Sequence, residues 1–187
     1  MFIQTESTPN PATLKFLPGC AVTGEGGADF PSRETASRSP LAEALFEIDG
    51  VSALYFGPDF ITVTKSDAEW QHLKPQILGV IMEHFQMQRP VMQAGAGGAV
   101  APDGHAEHDG ADGEIVDQIK ELLDTRVRPA VAQDGGDITF DHYDNGIVYL
   151  HMRGSCSGCP SSTQTLKVGI ERMLKHYIPE ISEVRPV

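Results

Sequence analysis

The feature that most constrains this chain is a break in its middle. Residues 93–113, QAGAGGAVAPDGHAEHDGADG, are Gly, Ala, Asp and His with almost no large apolar side chain. Such a segment buries too little surface to offset the entropy of ordering it, and it is expected to be a flexible linker. One continuous core is thereby excluded. The 187 residues divide instead into two small domains, 1–86 and 113–187, joined by 87–112. His105 and His108 fall inside the joining stretch and read as solvated linker histidines.

In the first domain, FIQ and ATLKFL read as short strands separated by the turn-forming STPNP. PLAEALFEIDG reads as a helix, with Pro40 in its first turn and Leu41, Ala44, Leu45 and Ile48 on its apolar face. VSALYF and FITVTK follow as strands. SDAE at 66–69 fits a capping box, and Trp70, Leu73, Ile77, Val80, Ile81 and Phe85 behind it keep helical spacing. Pro75 is expected to kink or divide that helix. The predicted order is ββαββα.

In the second domain, Ile115, Ile119, Leu122 and Val127 mark one helix face, widened by Val116 and Leu123. Pro129 and the Gly135–Gly136 turn are expected to end that helix. ITFDHY and IVYLHM flank Asn145-Gly146, the strongest short hairpin signal, expected as a type I′ turn. A helix from Pro160 carries Leu166, Ile170, Met173, Leu174 and Tyr177 on one face, and ISEVRPV closes the chain as a third strand. The predicted order is αββαβ, two helices on one face of a three-stranded sheet. The fold class is α+β: two small α/β domains.

Composition excludes several functions. The formal net charge is −12 and none of the three segments is net basic, so no nucleic-acid partner is expected. No apolar run approaches the roughly 20 residues needed to cross a membrane. The start, MFIQTESTPN, has neither a signal-peptide pattern nor an Arg-rich amphipathic stretch, which points to a cytoplasmic protein without a presequence. Three cysteines do not make a disulfide scaffold and suit a reducing compartment.

Chemistry concentrates in RGSCSGCPSSTQTL, residues 153–166. Cys156 and Cys159 lie between a strand end and a helix start, where free backbone N–H groups and the helix dipole favour thiolate. Gly154 and Gly158 leave room for backbone to fold round a ligand, and Pro160 gives up no needed donor. The pattern suits two sulfurs presented side by side to a metal centre. Three readings compete. A dithiol oxidoreductase fits the Cys-x-x-Cys spacing, but the pair follows a hairpin rather than the first strand of a βαβ unit. Structural zinc needs about four ligands, and only His142, His151 and His176 are otherwise at hand, in strands or a helix. A cluster shared between two chains draws four thiolates from two copies of the loop.

Residues 113–187 closely resemble the C-terminal domain of the NifU family: PAVAQDGGDI, the hairpin after it, GSCSGCPSSTQTL and IE in the next helix stand in the family's order. Residues 1–86, with TPNPATLKF, SPLAEALFEIDGV and W..LKP.I...I, are similar to the N-terminal domain of the Nfu subgroup. The resemblance implies a non-enzymatic iron–sulfur scaffold or carrier. Its 4Fe–4S cluster, or a 2Fe–2S one, would bridge two subunits through Cys156 and Cys159 of each. It also implies a homodimer when loaded, apo iron–sulfur proteins as acceptors, assembly machinery as donor, and a bacterial cytoplasmic setting or, after loss of a presequence, the mitochondrial matrix. The N-terminal domain would recognise partners. Gly135, Gly136 and Asp137 match the family as backbone geometry, and no role carries over to Cys20.

Overall fold

The computed structural model describes residues 2–24, 27–93, 111–157 and 160–187. Most of the expected linker, with His105 and His108, lies outside them. The chain forms two compact units, Met1–Val100 and Ala101–Val187, each combining a sheet with helices as the α+β reading requires.

The first unit is a five-stranded antiparallel sheet in the order β1-β2-β5-β4-β3. Its strands are β1 (Gln4–Ser7), β2 (Thr13–Leu17), β3 (Ala28–Phe30), β4 (Val51–Phe56) and β5 (Ile61–Lys65). Phe16, Leu54, Phe56 and Val63 from the sheet share one core with Leu41 and Leu45 of α1 (Pro40–Phe46) and with Leu73, Ile77 and Ile81 of α2 (Trp70–Gln86). Ser39 caps α1 by accepting from the Ala42 N–H at 3.1 Å, a contact typically worth about 1 kcal/mol.

Three expectations change here. The order is βββαββα: β3 and a 3-10 turn at Arg33–Arg38 precede α1. Three residues, Ala-Asp-Phe, are too few for a strand period to register; β3 exists because β4 offers it an edge, pairing Asp29 with Tyr55. The capping box does not form. The Ser66 hydroxyl turns to the Gly50 carbonyl, and α2 starts later, with Glu69 as an N-cap lacking a side-chain bond. Nor does Pro75 divide α2, which runs on through it. One turn in, the missing N–H strands a single carbonyl, while Leu73, Ile77 and Ile81 anchor the helix on both sides.

His84, on the last turn of α2, is 5% exposed, and its Nε2 is buried without a hydrogen-bond partner. Burial holds its pKa below the ordinary histidine value of 6.5, more than the Pro90 carbonyl raises it. The unfolded chain therefore binds a proton that the folded chain resists. Stability is full above about pH 6.5 and is lost as pH falls through the depressed native value. Urea midpoints of the first unit, followed by Trp70 fluorescence, should drop between pH 7.5 and 5.5, and His84→Leu should flatten that drop. An equal drop in the variant would show that another group titrates.

The second unit packs α3 (Ala111–Leu122), α4 (Arg128–Gln133) and α5 (Pro160–Tyr177) on one face of the sheet β6-β7-β8. β6 (Gly136–Asp144) and β7 (Ile147–Gly154) form the predicted hairpin, and β8 (Glu183–Pro186) lies parallel to β7. Asn145 and Gly146 take φ of 47° and 83°, the two positive values a type I′ turn requires. The Gly146 carbonyl also accepts from the Ser182 N–H at 2.7 Å and the Ser182 hydroxyl at 3.0 Å, so the turn docks β8. Tyr177, expected in the core, is 46% exposed, with Arg126 lying over its ring at 5.1 Å.

Pro129 does not end the first helix as expected. A π-helical segment, Leu123–Val127, joins α3 to α4, and the Arg128 N–H reaches back five residues to the Leu123 carbonyl. The wider turn has two effects. Its closing bond comes from Arg128, the residue before the proline, whose ring would collide with the preceding turn of an α-helix. It also keeps Ile119, Leu123, Val127 and Val131 together in the core. Spacing by four drifts round a 3.6-residue helix, and a turn holding more residues cancels the drift.

Candidate functional site

β7 ends at Gly154, whose φ of 62° lies in the left-handed region that glycine adopts without steric cost. The chain turns back there. The Ser155 N–H donates to the Gly135 carbonyl at 3.2 Å, and the Ser155 hydroxyl donates to the Asp134 carbonyl. The Ser157 N–H and hydroxyl both donate to the Gly154 carbonyl, at 3.1 and 2.9 Å. On the other side, Thr163 in the first turn of α5 donates its hydroxyl to the Cys156 carbonyl at 3.0 Å. The loop is thus tied to the β6 entry and to α5.

Between these ties sits Cys156, 5% exposed and counted among the core side chains of the unit. Its Sγ lies over Gly136 so closely that a Cβ there would meet it at 2.3 Å, with the Arg153 carbonyl at 3.0 Å and the Cys156 nitrogen at 3.1 Å. Gly136 is therefore glycine for want of space, although its φ is unexceptional. Its neighbour Asp137, 6% exposed, is gripped by Arg128 at both oxygens: Nε to Oδ1 at 2.9 Å, and a terminal nitrogen to Oδ2 at 3.3 Å. The other Arg128 terminal nitrogen reaches Asp124 at 3.0 Å. Asp137, and more weakly Asp124, hold the guanidinium above its ordinary pKa.

The expectation that the helix-start donors favour thiolate is corrected for Cys156. Burial pushes its thiol up to about 12, and the Asp134 and Asp137 carboxylates add to this against the Ser155 hydroxyl. Desolvation outweighs any help from the start of α5 because the sulfur faces Gly136 and the core. Cys159 and Gly158 lie outside the described residues. Cys20 belongs to the other unit, half-buried as a free thiol.

The histidines weighed for zinc are engaged elsewhere. Asp141, at the β-bulge of β6, contacts His142 Nδ1 and, at 2.8 Å, His151 Nε2; the two rings, His142 first, hold its carboxyl below the usual range. His142 also stacks on Tyr149 with centroids 4.0 Å apart, and His176 meets Tyr177 edge-on. Among the described residues no three His, Cys, Asp or Glu side chains gather to hold a metal ion. No helix among them is long and apolar enough to cross a membrane.

Sequence reasoning passed over Arg128, Thr163 and the contact that requires Gly136. The visible signal was Gly-Gly-Asp standing where the chain enters a strand, one arginine ahead of a proline.

Residues 3–88 match the family model described as scaffold protein Nfu/NifU N terminal, and residues 119–185 match the NifU-like domain. A relative from Drosophila ananassae, named NFU1 iron-sulfur cluster scaffold homolog, mitochondrial, is 52% identical over all of this chain and 64% of its own length. One of the same name from Drosophila persimilis is 51% identical, over 100% of this chain and 65% of its own. The chain thus spans somewhat under two thirds of these relatives. Among solved structures, a NifU-like protein from Saccharomyces cerevisiae is 27% identical with a TM-score of 0.45, covering 49% of this chain and 84% of that one.

Proposed function

This chain belongs to the Nfu/NifU scaffold family, and on that premise we propose that it carries an iron–sulfur cluster and hands it to apo-proteins. The cargo is a 4Fe–4S cube held between two copies of the chain by Cys156 and Cys159 of each. The reading rests on one observation: Cys156, half of a Cys-x-x-Cys pair, sits in the loop between β7 and α5 of a unit that matches the NifU-like domain. The donors fit the cargo. Thiolates are the ligands such clusters take, four to a cube, and one loop supplies half of them.

Cargo transfer is ligand exchange. As each sulfur bonds iron, its thiol proton passes to solvent; as the cargo leaves, an acceptor's thiolate replaces it and the proton returns. Only iron–thiolate bonds are exchanged, so the proposed role is that of a carrier rather than an enzyme. The first unit recognises donor machinery or acceptors, and the joining segment lets the cargo-bearing unit reach them. The relatives' names favour the mitochondrial setting over the bacterial cytoplasm.

Anaerobic reconstitution with iron and sulfide tests this. Mössbauer spectra with sedimentation should show a dimer holding about four irons per two chains. A monomer that binds iron and sulfide equally well would overturn the shared site.

A further inference from the structure

The position of Cys156 conflicts with its proposed work, because a sulfur in the core cannot ligate a cluster shared with another chain. Four features keep it there. Gly136 leaves the space that any other residue would fill. Ser155 fastens the loop to Gly135 and Asp134 through its N–H and hydroxyl. Thr163 holds the Cys156 carbonyl from the far side. The Arg128–Asp137 pair fixes the strand entry that carries Gly136.

We propose that Gly136 is a seat that stows Cys156 in the core, so that loading is gated by departure of this side chain. Gly136 and Thr163 are then positioning residues. Stowing keeps a reactive sulfur from oxidants and wrong metals until partners meet, and an emptying carrier returns the sulfur to its seat. The seat itself needs no iron to be detected; only its bearing on loading rests on the proposed cargo.

Labelling with N-ethylmaleimide tests the seat in the full-length Cys159→Ser chain, with sites mapped by mass spectrometry. Under native conditions Cys156 should react at least about tenfold more slowly than Cys20, since it must wait for local opening. In urea the two rates should converge. Gly136→Ala places a methyl where the sulfur sits and should bring the native rate of Cys156 to within about twofold of that of Cys20. Thr163→Val, which removes one tie and leaves the seat, should raise the rate about threefold, keeping the test open if Gly136→Ala fails to fold. With Cys159 intact, Gly136→Ala should load iron and sulfide about threefold faster to an unchanged final content, because more of the chain is competent at any moment. Equal native rates for Cys156 and Cys20 in the parent, or no acceleration in either folded variant, would overturn the seat. Slow labelling of Cys156 in a chain that never takes up iron would keep the seat and sink the cargo.

Discussion

Cys156→Ala should leave the second unit folded and unable to retain iron and sulfide, while Cys20→Ala should load like the parent chain. In a dimer the first change removes two of the four sulfurs at once. Two thiolates do not complete the coordination of a cube, so the loss should be total, down to background iron per chain. Alanine is a cleaner probe than the customary serine because Cys156 lies in the core. Truncation leaves a void about the size of a sulfur and should cost on the order of 1 kcal/mol. A serine hydroxyl there would be buried without an assured partner, at about 1–3 kcal/mol, and would confuse unfolding with lost ligation. Cys159→Ala should match Cys156→Ala in iron content. Iron and sulfide assays after anaerobic reconstitution, beside a thermal melt of each variant, make the comparison. Parental iron content in a folded Cys156→Ala chain would remove Cys156 from the ligand set.

The legibility of the fold follows the range of the interactions that make it. Asn145-Gly146 announced the β6–β7 hairpin because a type I′ turn is a property of two adjacent residues. The buried stripes of α2 and α5 were visible because they repeat over many turns. β3 was not, being three residues that become a strand only on a neighbour's edge. The π segment was hidden for a related reason: Pro129 reads as a stop, and only the four-residue spacing of Ile119, Leu123, Val127 and Val131 hinted that the helix would open and continue. SDAE misled because Ser66 had a tertiary partner in Gly50. At the site, the loop was legible from its two cysteines. The inward turn of Cys156 was not, since it depends on Gly136, twenty residues earlier, and on the partners that hold that glycine in place.

Arg128→Met should destabilise the second unit by on the order of 3 kcal/mol, although the same arginine makes two ion pairs that look alike at a glance. The Asp124 contact, at 3.0 Å, lies on a helix surface with the carboxylate side chain 61% exposed. Such pairs are worth about 0.3–0.5 kcal/mol, and Asp124→Ala should cost no more. Asp137 is different. Its side chain is 8% exposed, so removing Arg128 leaves a largely buried carboxylate without the guanidinium that pairs both of its oxygens. Most of the expected cost is that stranded charge rather than the attraction itself. Asp137→Asn in the Arg128→Met background should therefore regain part of the stability, because the charge is gone. Urea unfolding followed by circular dichroism reads both units, and fluorescence of Trp70, the one tryptophan of the chain, reads the first alone, so the transition in the dichroism that the fluorescence does not share reports the second. Equal losses for Asp124→Ala and Arg128→Met would mean that Asp137 is solvated after all, and that the strand entry bearing Gly136 is held by backbone bonds alone.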